Sequence, residues 1–272
     1  MSNRIGVLGC GWLGLPLAQR LVEKGLEVHG TTTSSDKLEA LQNLGIVPYH
    51  ISLSKNGIDG DIETFLSQID ILVINVPPKL RQGNAESFIE KMKQLQAQIK
   101  KSPVSKILFV SSTAVYGDED GDVTEATPPN PVTESGKQLL ASEQLFRNDS
   151  SRLTTILRFG GLIGPNRHPI KQLSGKKDLK NGHHPINLIH LDDCIHMIGT
   201  IINEGYWGQI FNGVYPLHPS KKDYYSAEAV KRGVAPPEYL DLPVHDTGKR
   251  VKSENFLQKG HQFTTSIISS ST

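Results

Sequence analysis

Charge of one sign, cysteine and long apolar runs are all scarce in this 272-residue chain. Lys plus Arg number 29 and Asp plus Glu 28, which leaves a net charge of +1. No basic excess is present to hold nucleic acid or an anionic membrane surface. There are only two cysteines, Cys10 and Cys194. Their spacing is neither that of a metal-thiolate site nor that of a redox pair, so a reduced, cytoplasmic chain is the simplest reading. No apolar run approaches the ~20 residues a membrane helix requires. A buried-type strand by residue 5 leaves no room for a charged leader and an apolar signal core. The expectation is a cytoplasmic protein without membrane or nucleic-acid partners. The length allows one large domain, or one domain with a small appendage.

Glycine is what the chain has, and it is placed with purpose. Gly9-Cys10-Gly11-Trp12-Leu13-Gly14 follows the apolar run Ile5 to Leu8 and precedes helical periodicity at Leu13, Leu17, Leu21 and Val22. A Gly-x-Gly-x-x-Gly between a strand and a helix is a physical proposal for dinucleotide binding. Gly9 allows the tight turn, Gly11 lets backbone amides approach a pyrophosphate, and Gly14 lets the helix pack closely on the strand. Trp12 and Leu13 contribute amides at the helix N-terminus, where unpaired N–H groups favour an anion.

Beyond that turn, apolar strands alternate with amphipathic helices. Strands are expected at Ile5–Leu8 (β1), Leu26–Thr31 (β2), Ile46–Tyr49 (β3), Ile71–Ile74 (β4), Ile107–Val110 (β5) and Thr154–Leu157 (β6). Helices are expected at 11–24, from Ser34 or Ser35 to Leu44, and at 61–68, 85–100 and 133–147. This alternation means βαβ units and a doubly wound parallel sheet of Rossmann type. Its ligand site lies at the carboxyl ends of β1 and β4, so Val76 and Pro77 join the cofactor-contacting set. After residue 165 the pattern loosens into a strand at Ile186–Ile189, a helix near 192–203, a strand at Gln209–Phe211 and a helix near 221–232. The expected division is a dinucleotide-binding domain over 1–165 and a small α/β cap lobe over 166–272. The Ser/Thr-rich end, 264–272, is expected to fray.

The end of β2 reads Gly30-Thr31-Thr32-Thr33-Ser34-Ser35-Asp36-Lys37. No acid stands there to bond a ribose 2′-hydroxyl. Thr32, Ser34, Ser35 and Lys37 suit a 2′-phosphate, which favours NADP over NAD, although Asp36 opposes it.

Strand β5 leads into Ser111-Ser112-Thr113-Ala114-Val115-Tyr116-Gly117. Leu157-Arg158 is followed by Gly164-Pro165, and Ile189-His190-Leu191-Asp192-Asp193 stands further on. With the glycine turn, these runs resemble the extended short-chain dehydrogenase/reductases of the NAD(P)-dependent epimerase/dehydratase superfamily, and most closely its short, atypical members. The resemblance implies an oxidoreductase or epimerase-like enzyme. In the family a Ser or Thr after β5 bonds the reacting oxygen, and a Tyr-x-x-x-Lys pair moves the proton and holds the nicotinamide ribose. Ser111 and Ser112 match the loop after β5, with Ser112 at the hydroxyl position. Lys137 matches the lysine. Thr133 stands where the tyrosine belongs, and Tyr116 is the nearest other tyrosine. A tyrosine near pKa ~10 needs a neighbouring cation to act as a base, and a threonine hydroxyl can only relay or orient. The rival expectation is therefore a dinucleotide-binding protein that lost the proton acid.

Two glycines, Gly160 and Gly161, follow Arg158 where nucleotide-sugar enzymes of the family commonly carry an Asn. With the small cap lobe, this points to a small polar substrate. Arg167 and His168 border the crevice and are candidates to hold an anionic group. His183-His184 lacks a third ligand at metal spacing and reads as loop, so no metal is assigned. His190, Asp192 and Asp193 read as a helix start. Asp118-Glu119-Asp120-Gly121-Asp122 reads as a solvated acidic loop. The polar face of the 85–100 helix fits a monomer or a weak homodimer.

Overall fold

A computed structural model describes residues 4–78 and 86–268. Its central sheet contains β1 (Arg4–Leu8), β2 (Glu27–Thr32), β3 (Val47–His50), β4 (Ile71–Ile74), β5 (Lys106–Ser112), β6 (Leu153–Phe159) and β7 (Ile210–Gly213). The strand order is β7-β6-β5-β4-β1-β2-β3. β1 runs parallel to β2 and β4, β2 to β3, and β4 to β5. The chain moves outward from β1 to β3, then returns to β4 on the other side of β1. With right-handed crossovers, that reversal puts helices on both faces and opens the switch point between β1 and β4. Every residue of Ile71–Ile74 is buried, as an uninterrupted apolar strand covered on both faces requires.

Helices α1 (Gly14–Glu23), α2 (Leu38–Asn43), α3 (Ile62–Ser67), α4 (Phe88–Ile99) and α5 (Glu134–Arg147) fill the first part of the chain. α4 buries Phe88, Met92, Leu95 and Ile99, the stripe its periodicity specifies. Residue 85, the expected start of that helix, lies outside the described residues. Asp61 and Ser87 cap α3 and α4 by accepting from Thr64 N–H and Glu90 N–H. The helix expected between Ser34 and Leu44 is divided into a 3-10 turn over Ser35–Lys37 and α2, and Gly45 ends it at φ +76°. Residues 11–13 belong to the turn rather than to α1.

Contacts divide the chain into two units. One comprises residues 1–115, 131–158 and 195–210, the other 116–130, 159–194 and 211–272. In the first, β7 is joined to the sheet at its entry, where Ile156 N–H donates to Gln209 carbonyl.

The second unit has its own core of Ile163, Ile170, Ile186, Leu188, Tyr224, Tyr225, Ala229 and Ile267. It pairs Gly161–Ile163 in parallel with Leu188–His190, and Gly121–Val123 in parallel with Lys249–Val251. The second pairing corrects the solvated-loop reading of 118–122 at Gly121 and Asp122, which form a strand, while Asp118, Asp120 and Asp122 stay exposed. Asp120 accepts from the Thr247 amide and hydroxyl, and Asp122 faces Arg250 and Lys252, so these acids stitch a β-bridge. Within the end expected to fray, Thr264 and Thr265 are held by the Asp193 carboxylate, which accepts from both amides and from the Thr264 hydroxyl. Residues 269–272 lie outside the described residues. Asp193 therefore anchors this distant segment. At its own helix, Leu191–Glu204, His190 Nδ1 accepts from Asp192 N–H.

Candidate functional site

The turn after β1 has the geometry its glycines predict. Gly9 adopts φ +103°, and a Cβ there would lie 2.6 Å from Asn75 carbonyl oxygen. Gly9 N–H donates to Thr31 Oγ1, and Cys10 N–H to Thr31 carbonyl. Asn75 Nδ2 donates to Gly9 carbonyl, so the loop after β4 buttresses the turn at the switch point. A Cβ at Gly14 would lie 2.1 Å from Gly9 carbonyl oxygen, which explains the third glycine as a close-packing position. At Gly11 a Cβ would meet nothing within 4 Å. The space in front of this residue is therefore open. Leu13 is the N-cap of α1 and makes no side-chain cap, and no acid stands in the first turn of the helix. An uncapped helix N-terminus behind an open glycine suits a bound anion. Leu13 itself is buried, and Trp12 is half-buried beside it.

The rim of this site is built from loops at neighbouring strand ends. Thr32 is buried at the end of β2, and its Oγ1 accepts from Ser34 N–H, fixing the turn. Ser35 and Lys37 are exposed beyond it, with Asp36 between them. Val76 is half-buried and Pro77 exposed after β4. Cys10 packs beneath the turn against Gly30, where a Cβ would lie 2.7 Å from its sulfur. Burial pushes the Cys10 thiol up to about 12, so it stays protonated and unreactive.

The serines after β5 divide between two faces. Ser112 is half-buried, and its Oγ accepts from Ala114 N–H, which leaves the hydroxyl proton for another acceptor. Ser111 points the other way and donates to Glu143 Oε1 at 2.6 Å. Glu143 accepts from Arg158 Nε and, at 2.6 Å, from its NH2 nitrogen. The two side chains of this ion pair are 2% and 3% exposed. The Ser111 side chain is thus tied into a buried polar network and is not presented to a cofactor. Sequence reasoning missed Glu143. Its signal is an acid on the buried stripe of α5, where a charge requires a partner.

Lys137 is exposed one helical turn after Thr133, and Lys137 N–H donates to Thr133 carbonyl. Thr133 is the N-cap of α5, its Oγ1 accepting from Gly136 N–H. A Cβ at Gly136 would lie 2.6 Å from Ala114 carbonyl oxygen. That close approach docks the segment after Ser112 onto the start of α5.

The other candidates lie in the second unit. Tyr116 is fully buried, and its hydroxyl donates to Asn212 Oδ1 at 2.8 Å. Asn212 also donates to Lys252 carbonyl, and its amide donates to Glu125, so Tyr116 belongs to a structural network. Arg167 is exposed. His168 is buried, with Nε2 bonded to the Tyr224 hydroxyl and Nδ1 accepting from Ile170 N–H. Burial, and then the Arg232 charge, push His168 down to about 4. It is neutral at physiological pH and packed in the core, which does not suit the anion-holding role expected of it.

This shift has a measurable consequence. Between pH 4 and 6.5 the unfolded chain carries a proton on His168 and the folded chain does not. The stability from the neutral ring is complete above about pH 6.5 and is lost as pH falls towards 4. The loss is on the order of 3 kcal/mol. Urea midpoints measured across that range should fall with pH, and His168→Gln should flatten the slope.

Comparison with known proteins gives matches along most of the chain, among them one family profile, one relative and two solved structures. The family profile described as NAD(P)H-binding matches residues 9–188. "Protein YeeZ" of Escherichia coli is 35% identical over 248 residues, covering 91% of this chain and 89% of that one. UDP-glucuronic acid 4-epimerase from Bacillus cereus, solved with UDP-glucuronic acid and NAD, superposes with a TM-score of 0.77 at 18% identity, covering 97% of this chain and 95% of that one. UDP-glucose 4-epimerase from Thermotoga maritima, solved with UDP-glucose, gives a TM-score of 0.77 at 17% identity, covering 97% and 94%. At these identities the two structures share the fold.

Proposed function

Because the chain belongs to the NAD(P)H-binding family, within the NAD-dependent epimerase/dehydratase superfamily, we propose that it is an oxidoreductase or epimerase-like enzyme using NADP on a small polar substrate. The observation that carries this reading is the turn at Gly9–Gly14, with its open front at Gly11 and the uncapped start of α1. These residues fit a pyrophosphate. Ser34, Ser35 and Lys37 would hold a 2′-phosphate, Val76 and Pro77 would line the nicotinamide half, and Lys137 would bond its ribose. When bound, the dinucleotide supplies a hydride donor or acceptor.

The chain's own residues handle the oxygen of the substrate. Ser112 polarises the reacting oxygen by donating a hydrogen bond to it, its own lone pair being engaged by Ala114 N–H. Water supplies the proton that the reacting oxygen takes up. The Lys137 charge stabilises negative charge developing nearby. Thr133 sets the start of α5, and with it the position of Lys137, through its cap. The reaction is expected in the cytoplasm, from a monomer or a weak homodimer.

A second reading rests on the same threonine. With Thr133 engaged as a cap and Tyr116 buried on Asn212, neither replaces the family's proton acid. The chain would then bind the dinucleotide without catalysis. A panel of small hydroxy-aldehydes and hydroxy-ketones with NADPH, followed by absorbance, separates the two. The enzyme reading predicts turnover that falls about a hundredfold or more in Ser112→Ala. Binding without turnover, with activity appearing only in Thr133→Tyr, would establish the second reading.

A further inference from the structure

The second unit brings together two adjacent histidines and an aspartate that the sequence keeps 62 positions away. His183, His184 and Asp246 present ligand atoms that all lie within 4.8 Å of one another. His183 Nε2 lies 3.8 Å from Asp246 Oδ1 and 3.0 Å from the Asp246 carbonyl oxygen, and His184 Nε2 contacts the same carboxylate oxygen. The two imidazoles stand edge to face with centroids 4.7 Å apart. His184 Nε2 is shut away from water yet makes no hydrogen bond of proper geometry. The His184 nitrogen is thus left without a hydrogen bond, beside a carboxylate oxygen and a second imidazole, the donor types that a zinc-class cation takes.

The backbone around this set is fixed. Lys221 N–H donates to His184 carbonyl and Lys222 N–H to Gly182 carbonyl, so the start of the Lys221–Lys231 helix holds the His-His loop. A Cβ at Gly182 would lie 2.9 Å from the Tyr239 ring, and one at Gly248, where φ is +66°, would lie 2.6 Å from the His184 ring. Asp246 is followed by Thr247, whose amide and hydroxyl donate to Asp120. Lys221 is the cation that faces Asp246 from the neighbouring helix, and burial lowers its affinity for a proton.

We propose that His183, His184 and Asp246 form a binding site for a divalent transition cation of the zinc class. Two imidazole nitrogens and one carboxylate oxygen are borderline ligands, suited to zinc or cobalt rather than to calcium or magnesium. Metal–ligand distances of about 2.0–2.2 Å would be reached by sub-ångström to ångström movements of these side chains. Three protein ligands leave a fourth position for water or an oxygen of a small molecule. The site would pin the 183–184 loop to the segment that runs into Lys249–Val251, and through Thr247 to the loop at Asp120. It does not depend on the dinucleotide reading.

The test uses tag-free full-length protein titrated with cobalt(II) and followed by its visible absorption, with zinc as competitor. The expected result is one tetrahedral-type cobalt spectrum per chain, displaced by zinc. Cobalt affinity should fall by about a hundredfold or more in His184→Gln and in Asp246→Asn, and should be unchanged in His50→Gln, an exposed histidine of the other unit. Circular dichroism of each variant checks the fold. Zinc should also raise the thermal midpoint of the wild type and leave that of Asp246→Asn unmoved. The absence of a cobalt spectrum, or an affinity unaltered in correctly folded His184→Gln and Asp246→Asn, overturns the proposal.

Discussion

Gly11→Ala should fold like the wild type and bind NADPH about tenfold to a hundredfold more weakly, whereas Gly14→Ala should lose stability first. The contrast follows from what each new methyl group meets. At Gly11 it enters open space on the protein side and disturbs no backbone, so the urea midpoint should stay within about 0.5 kcal/mol of the wild type. That same space is where pyrophosphate oxygens must approach the amides, and a methyl group holds them off. A loss of about 1.4–2.8 kcal/mol in binding corresponds to the stated factor. At Gly14 the methyl group falls 2.1 Å from Gly9 carbonyl oxygen and 2.9 Å from Asn75 Nδ2. Backbone must shift, at a cost of about 1–3 kcal/mol typical of overpacking. If Gly11→Ala bound NADPH as the wild type does, the anion site would have to lie elsewhere.

The second large effect concerns Glu143 and Arg158. Arg158→Ala should destabilise the fold by about 3–5 kcal/mol, because it strands a carboxylate that is 2% exposed. Glu143→Ala should cost a similar amount by stranding the guanidinium. It also removes the acceptor of the Ser111 hydroxyl. The double variant Glu143→Leu/Arg158→Met should recover much of the loss, since a pair of apolar side chains replaces the desolvated ion pair. Chemical denaturation at constant m-value reads all three. Equal midpoints for wild type and Arg158→Ala would show that the pair contributes nothing. The pair joins β6 to α5, the helix that carries Lys137, so its loss should also weaken the cofactor site.

These two predictions mark what the sequence makes legible. Gly9, Gly11 and Gly14 are local: strand, turn and helix are contiguous, and each glycine's role follows from short-range geometry. Buried strands such as Ile71–Ile74 are equally readable, because an unbroken apolar run has few other uses. Arg158 is visible as a charge inside a strand, but its partner stands 15 residues earlier on another element. Ser111 and Ser112 both match the loop after β5 in sequence, and strand alternation sends Ser111 into the Glu143 network and Ser112 to the opposite face. His168 reads as a loop cation until Tyr224 and Glu228 of a later helix enclose it. Asp193 reads as a helix cap until residues 264 and 265 arrive to use it. Asp246 completes the His183–His184 set from 62 positions beyond His184, a separation that no local pattern reports. Long-range pairings of polar groups are what a single sequence conceals, because each partner alone looks like an ordinary surface residue.

The most direct measurement is a fluorescence titration of the wild-type protein with NADPH and with NADH, run beside Gly11→Ala. The account predicts saturable binding of one dinucleotide per chain, tighter for NADPH than for NADH, and weakened in Gly11→Ala without loss of fold. Failure of either dinucleotide to saturate the wild type would contradict a cofactor site at the Gly9–Gly14 turn, and tighter binding of NADH would contradict the assignment of Ser34, Ser35 and Lys37 to a 2′-phosphate.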